Sequence, residues 1–162
     1  MTPSETGPVT VRRVVTGMDS SGRSVILAQD EAPSVVHDEA SGYQLIEMWQ
    51  TRSTPPALTG EDLSGTPFEL EPVAGGIHWR IVVWPERDEP GLIHRTDTLD
   101  MLYILSGQIV LGVGDDAGSM REVHLQAGDA VVALANVHCW RNPGPGRCTA
   151  VATMVSSLPL GD

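Results

Sequence analysis

Two histidines and an aspartate stand in segments that have the pattern of β-strands. His94 and Asp100 lie in the stretch LIHRTDTLDMLYILSG, and His138 lies in NVHCWRN. Neutral imidazole and carboxylate are suitable ligands for a divalent first-row metal ion. Without a metal, a buried histidine beside a carboxylate is suited to general acid–base catalysis, because burial and the carboxylate both tune the pKa of the imidazole. Ordinary strand-end histidines bonded only to the backbone are the structural alternative.

The alternation of side chains along a strand decides which of these groups can meet. Successive side chains of a strand point to opposite faces. If the first segment is extended from residue 94 onward, one face carries His94, Thr96, Asp100, Leu102 and Ile104. In the second segment, His138, Trp140 and Asn142 share a face. The pattern therefore favours a cluster of His94, Asp100 and His138 inside a β-fold.

A third segment, IHWRIVVW at residues 77–84, carries two more candidates. Its two faces divide into a wholly apolar set and a set that mixes His78 and Arg80 with apolar residues, which suits a pocket wall. Arg80 could bind a substrate carboxylate or enolate through its planar guanidinium, or form a salt bridge with a surface acid. His78 is either a fourth ligand or a solvent-facing histidine. Trp140 would supply a flat apolar wall for a planar ligand, or fill the core.

Other polar and aromatic residues are assigned ordinary structural roles. We expect His37 and His124 to be exposed and without a chemical role. Asp97 is expected to be a polar residue of a turn or loop; the alternative is that Asp97, rather than Asp100, is the carboxylate ligand. Trp49 and Trp84 are expected to be core or interface residues.

Composition excludes several classes of partner. The 162 residues include ten basic and twenty-one acidic side chains, a formal charge of −11 that would repel nucleic acid and anionic membranes. The apolar runs are too short to span a bilayer, and the N-terminal stretch MTPSETGPVT does not resemble a signal peptide. The only two cysteines, Cys139 and Cys148, are expected to be buried thiols in a reducing, cytoplasmic environment.

The elements that must position these residues are predicted to be strands. Eight to ten short strand-like segments follow one another at intervals of roughly 8–12 residues, with turn residues between them, which favours an all-β sandwich or barrel. A long connection from residue 53 to residue 76 is rich in Pro, Gly and acidic residues, and we expect at most one helical turn in it, near Glu61.

The order of these features resembles the paired motifs of the cupin superfamily. In that family, the first motif has two histidines one residue apart, a glutamate and a closing glycine, and the second has a Gly-Asp turn, a histidine and an asparagine. The matching positions in this sequence are His94, Asp100, Gly107, Gly128, Asp129, His138 and Asn142. The resemblance covers roughly residues 75–155. It implies a double-stranded β-helix, which is a jelly-roll-like barrel, with an N-terminal strand arm.

The sequence departs from the family pattern at three places. Thr96 replaces the second histidine, Asp100 replaces the glutamate, and the proline expected before His138 is absent. What remains resembles the two-histidine, one-carboxylate triad of non-haem iron oxygenases. The resemblance therefore implies a divalent ion (Fe, Zn, Mn or Ni) held by His94, Asp100 and His138, or a site that has lost its metal, with no organic cofactor in either case.

The resemblance also implies a function and an assembly. We expect a small-molecule enzyme, metal-dependent, whose proton-transfer chemistry would be that of an isomerase, dehydratase, lyase or cyclase. Its substrate would be an oxygenated, polyketide-like or phenolic metabolite, bound by Arg80, Trp140, Thr96 and His78. The alternatives are an Fe(II) dioxygenase and a metal-free binding protein. Residues 1–70 would form an arm and strands that pack on a barrel core at residues 71–162, and two chains would form a homodimer.

Overall fold

The computed structural model describes residues 7–38, 41–114 and 119–158, and every regular element in these ranges is a β-strand. The strands are β1 (Arg12–Met18), β2 (Ser24–Glu31), β3 (Ser34–His37), β4 (Gln44–Thr51), β5 (Ile77–Trp84), β6 (Thr98–Ser106), β7 (Gln108–Gly114), β8 (Met120–Gln126), β9 (Ala130–Leu134), β10 (His138–Arg141) and β11 (Cys148–Ser156). The all-β prediction is confirmed.

The strands form two facing sheets and a separate hairpin. A six-stranded sheet has the order β3-β4-β5-β11-β6-β9, and a three-stranded sheet has the order β10-β7-β8. Each neighbouring pair is antiparallel. Ile104 and Cys148 of the larger sheet pack in one apolar cluster with Ile109 of the smaller sheet, so this core lies between the two sheets.

The six-stranded sheet is also covered on part of its outer face. Ile46 and Ile81 form a second apolar cluster there, against which Val9, Val11 and Val151 pack. β1 and β2 form a hairpin and pair only with each other in the described ranges. Since β4 pairs with β5 along its whole length, strands from the expected arm and from the expected barrel core share one sheet.

The alternation predicted for the strand that carries Asp100 is present. From Thr98 to Ile104, even-numbered side chains are buried and odd-numbered ones are partly or largely exposed. The connection between β4 and β5 has no helical turn near Glu61 among the described residues, which lies within the expected limit of at most one. A backbone hydrogen bond from Thr66 to Leu63 closes a simple turn instead.

Two further observations concern composition. Cys139 and Cys148 are free and buried, as predicted. Among the described residues there is no helix with the length and apolar character that crossing a membrane requires.

Candidate functional site

His94 and His138 lie side by side because their backbones pair. Each residue donates its backbone N–H to the other's carbonyl oxygen, at 3.0 and 2.9 Å, in an isolated antiparallel bridge. Their imidazole rings lie 4.5 Å apart between centroids, at an interplanar angle of 55°. Segments 44 residues apart in sequence are therefore joined at the rim of the space between the sheets.

The backbone also fixes which nitrogen of each imidazole carries the proton. Nδ1 of His94 lies 3.0 Å from the carbonyl oxygen of Leu92, and Nδ1 of His138 lies 2.9 Å from that of Asn136. A carbonyl oxygen only accepts hydrogen bonds, so Nδ1 must be the donor in each ring. Nε2 of a neutral ring is then left with its lone pair. Burial lowers the pKa of His138 below its usual value, which keeps this ring neutral at pH 7.

Asp100 lies in the same cavity with one unused oxygen. Its side chain is buried, and Oδ1 has no hydrogen-bond partner. Burial raises the pKa of the carboxyl group above its usual value, although a hydrogen bond with Thr98 and the two imidazoles act in the opposite direction. The hydroxyl of Thr98 in turn lies 2.7 Å from that of Thr96.

The cavity has a volume of about 120 Å³ and a mainly apolar wall. Its lining consists of Tyr43, Leu70, Val82, Trp84, His94, Asp100, Leu102, Ala133, His138, Trp140, Ala152 and Met154. The rings of Trp84 and Trp140 lie 5.4 Å apart between centroids, tilted by 39°, and Trp140 also meets His138 edge-on at 6.0 Å. The side chains of His94, Asp100 and His138 thus form a polar group in a cavity whose wall is otherwise mainly aromatic and aliphatic.

The roles of Trp84 and Tyr43 in the cavity wall were not predicted from the sequence. Trp84 packs against two apolar core clusters, as expected of a core residue, and it also lines the cavity. Its position on the same face of β5 as Val82 was a usable signal. Tyr43 precedes β4 and carries no local pattern that would have placed it here, because only the pairing of β4 with β5 brings it to the cavity.

Arg80 and His78 do not line the cavity, which corrects their expected role in substrate binding. Arg80 donates from Nε to Oε2 of Glu47 at 2.6 Å, and from its other nitrogens to the carbonyl oxygens of Glu69 and Leu70. It also donates to Nδ1 of His78. His78 is buried rather than solvent-facing. Glu47 lies opposite Arg80 in the pairing of β4 with β5. The N–H groups of Arg80 are thus used in hydrogen bonds within the protein.

Thr96 and Asp97 also lie away from the cavity lining. Thr96 is buried, and its hydroxyl contacts that of Thr98, so it supports Asp100 indirectly rather than facing a ligand. Asp97 accepts a hydrogen bond from Arg95 at 3.1 Å and is a polar loop residue, as expected. His37 and His124 are exposed.

The donor types in the cavity fit a divalent metal ion, but the arrangement is incomplete. Two Nε2 lone pairs and the unpartnered oxygen of Asp100 are the donors that such an ion prefers. Within residues 7–38, 41–114 and 119–158, however, no three His, Cys, Asp or Glu side chains are arranged to hold a metal ion. The two imidazole rings are neighbours, but together with Asp100 they do not form a metal site in the described structure.

Comparison with known proteins identifies the architecture. No protein-family model and no curated protein matches the chain. The chain is similar to the crystal structure of FeII HppE, with a TM-score of 0.50 and 16% identity, over 76% of this chain and 55% of that chain. It therefore spans about half of the HppE chain.

Two further solved structures are similar over about half of this chain. One is a cupin superfamily protein from Desulfitobacterium hafniense DCB-2, with a TM-score of 0.42, 15% identity, and coverage of 50% of this chain and 68% of that chain. The other is the DMSP lyase DddQ from Ruegeria pomeroyi DSS-3, with a TM-score of 0.42, 16% identity, and coverage of 52% and 41%. The architecture of two antiparallel sheets and the solved structures that it resembles show that the chain has the cupin fold, a double-stranded β-helix.

Proposed function

We propose that this chain is a small-molecule enzyme that moves protons on an oxygenated substrate held between the two sheets. The observation that supports this proposal is the pairing of His94 with His138, each with Nε2 left as an acceptor, beside a buried Asp100 oxygen without a partner. A purely structural role does not explain this arrangement, since an unpaired buried carboxylate lowers the stability of the fold.

The proposed proton transfer uses the chain's own side chains. Neutral His138 takes a proton from the substrate at Nε2, while its Nδ1–H stays bonded to the Asn136 carbonyl, which orients the ring. The carboxyl group of Asp100 stabilises the positive charge that develops on the imidazole. His94 is the second group able to exchange a proton at Nε2. Isomerisation, dehydration, elimination or cyclisation all need this pair of steps.

The cavity wall favours a planar, uncharged substrate, such as a phenolic or polyketide-like metabolite. Apart from His94, Asp100 and His138, the lining carries no ionisable group except the Tyr43 phenol, and Trp84 and Trp140 offer flat apolar surfaces. Arg80 is committed to Glu47, so the cavity lacks a cationic partner for a carboxylate.

A divalent metal ion is the second candidate component of this site. His94 and His138 would hold it through Nε2, with Asp100 as the third ligand. Such an ion would supply a Lewis acid that polarises a substrate oxygen. The Fe(II) dioxygenase and the metal-free binding protein remain the competing proposals.

Metal analysis tests whether the site holds an ion, and so separates the metal-dependent proposals from the metal-free ones. We expect protein purified without chelators, then equilibrated with Fe²⁺, Zn²⁺, Mn²⁺ or Ni²⁺, to bind one equivalent of ion. His138→Ala should abolish binding, whereas His124→Ala, which changes an exposed histidine, should retain it. No binding by the wild-type protein, or equal loss in both variants, would contradict a metal site at the imidazole pair.

Turnover separates an enzyme from a binder. Small phenolic and polyketide-like compounds that raise the melting temperature of the wild-type protein would be followed for conversion by mass spectrometry. We expect His138→Ala to keep binding and to lose at least 100-fold in turnover, since general acid–base catalysis contributes 10²–10⁴-fold. The enzyme proposal fails if no bound compound is converted, or if His138→Ala converts it at the wild-type rate.

A further inference from the structure

Part of the outer face of the six-stranded sheet is apolar and, in the described residues, exposed. On β5, β6 and β9, six large apolar side chains that point away from the barrel interior are 41% to 68% exposed in the described structure. They are Trp79, Met101, Tyr103, Leu105, Val132 and Leu134. We call this set the outer apolar face.

The strand register makes this face continuous. Met101 pairs with Val132 on one side and with Thr153 of β11 on the other, and Thr153 pairs with Trp79. Residues directly opposite on antiparallel strands lie on the same face of a sheet. One row of side chains therefore crosses four strands, with the Tyr103–Val151 pair beside it.

The outer apolar face begins where the N-terminal layer ends. Val9 and Val11 pack on Ile46 and Ile81 of β4 and β5, in a cluster that Val151 of β11 also contacts. Within the described residues, the side chains of β6 and β9 that belong to the outer apolar face are exposed. In this part of the chain, the N-terminal segment thus covers the sheet face at Ile46 and Ile81, whereas the face is exposed on β6 and β9.

The face carries no charge, although the molecule is acidic. β9 has the sequence AVVAL, and the outward positions of β6 from Leu99 to Leu105 and of β11 from Thr149 to Val155 are all uncharged. The whole chain has twenty-one acidic and ten basic residues. A basic partner would find no acidic contacts on this face. A second copy of the chain, which repels the first elsewhere through its charge of −11, can approach here without bringing like charges together.

The exposed area is in the range that a stable dimer needs. The six side chains expose on the order of 600 Å², compared with about 800 Å² per partner in an interface of standard size. Apolar patches of several hundred Å² on a monomer mark interaction sites. Neighbouring Leu99, Val151 and Val155, which are half-buried, would add to the contact.

We propose that the outer apolar face is a self-association surface, on which two copies of this chain meet through the same residues about a two-fold axis. The two sheets of the copies pack face to face, with Tyr103 and Met101 near the centre. This proposal does not depend on the enzymatic one. It locates the contact on β6 and β9 rather than on the N-terminal strands that the family resemblance implied.

Sedimentation equilibrium with matched variants tests this surface. Val132→Glu and Val123→Glu make the same change at exposed strand positions, but only Val132 lies on the outer apolar face. We expect the wild-type chain to be a dimer at micromolar concentration, Val132→Glu to raise the dissociation constant at least 100-fold, and Val123→Glu to change it less than threefold. Circular dichroism checks that each variant is folded.

A second pair of variants separates apolar burial from net charge. Tyr103→Glu and Tyr103→Arg change the net charge in opposite directions, yet each should raise the dissociation constant at least 100-fold, because each places a charge in a dry contact. Wild-type association should tighten as salt is raised, since screening weakens the repulsion between two acidic chains. A wild-type monomer at high micromolar concentration, or a dimer that Val132→Glu and both Tyr103 variants leave intact, would overturn the proposal.

Discussion

At the scale of single residues, Asp100 has one carboxylate oxygen, Oδ1, in the interior without a hydrogen-bond partner. Burial disfavours the charged carboxylate, which is why the pKa of Asp100 is raised. An acid with a raised pKa in the folded state costs stability at every pH where it is ionised, because the unfolded chain ionises more easily. Retaining such a group makes physical sense where its charge or its free oxygen is used.

Asp100→Asn should separate stability from chemistry. The amide is uncharged and nearly isosteric, so we expect the free energy of unfolding at pH 7 to stay the same or rise by up to about 1 kcal/mol. Metal binding or turnover should fall at the same time. Asp97→Asn, at a loop position paired with Arg95, should change stability by less than about 0.5 kcal/mol. A loss of stability in Asp100→Asn would show that the carboxylate is structural. Chemical denaturation measures both variants.

His78 is held neutral by its surroundings, which predicts a pH dependence of stability. Burial, and then the positive charge of Arg80, lower the pKa of His78 to about 4. The unfolded chain binds a proton at the ordinary pKa near 6.5, whereas the folded chain does not until about pH 4. Stability from this residue is therefore complete above pH 6.5 and lost as the pH falls from 6.5 to 4.

The measurement compares His78→Gln with the wild-type protein at pH 7 and pH 5. Between these values the wild-type chain should lose about 2 kcal/mol more than His78→Gln, because only the wild type has this proton to bind on unfolding. Glu47 and Arg80 are present in both proteins, so the difference isolates the imidazole. His124→Gln should follow the wild-type curve. Identical pH dependences of wild type and His78→Gln would refute the buried neutral state.

At the scale of the elements, the turns between strands set the geometry of the sheets. Gly107 joins β6 to β7 with a φ of 77°, in the left-handed region that favours glycine. A Cβ at this position would lie 2.4 Å from the carbonyl oxygen of Arg147 and 2.9 Å from Cα of Cys148. Gly107 therefore meets two separate requirements, a backbone conformation and a close approach of β11.

Two glycine-to-alanine changes separate these requirements. Gly107→Ala should lower the free energy of unfolding by about 3 kcal/mol or more, since the contacted atoms are backbone. Gly128→Ala, where φ is 98° but nothing lies within 4 Å of the added Cβ, should cost only about 1 kcal/mol. Equal losses in the two variants would mean that the close approach is not what requires glycine at position 107. Urea denaturation gives both values.

The elements themselves were largely predictable, because their signals are local. Alternation over two residues identified β5 and β6, and the shared inward face of Asp100 and Leu102 followed from it. The partnership of Arg80 with Glu47 was not predictable, since it depends on the register between β4 and β5, 33 residues apart in sequence. The same register placed Tyr43 at the cavity. Non-local pairing, rather than local propensity, is what the sequence left open.

At the scale of the whole molecule, Arg13 joins four separate segments beside the barrel. From β1 it donates to Asp30 of β2, to the backbone carbonyl of Met48 in β4, and to Asp62 and Ser64 of the long connection. Its side chain is buried, while the two carboxylates are partly exposed. The hydrogen bonds to these carboxylates raise the pKa of the guanidinium, so it is charged throughout.

Arg13→Met should therefore loosen the N-terminal layer. Removing the guanidinium takes a donor from the Met48 carbonyl and from Asp30, and leaves Asp62 with hydrogen bonds from Ser64 alone. We therefore expect the free energy of unfolding to fall by about 3 kcal/mol. Arg12→Met is the matched control, because the neighbouring Arg12 is exposed and bonds only to Gln29 in the described structure; it should change stability by less than about 0.5 kcal/mol. Hydrogen exchange should show faster exchange in β1, β2 and the connection of Arg13→Met, with β6 and β11 protected as in the wild type. Uniformly faster exchange in both sheets would mean instead that the N-terminal layer and the barrel unfold as one unit.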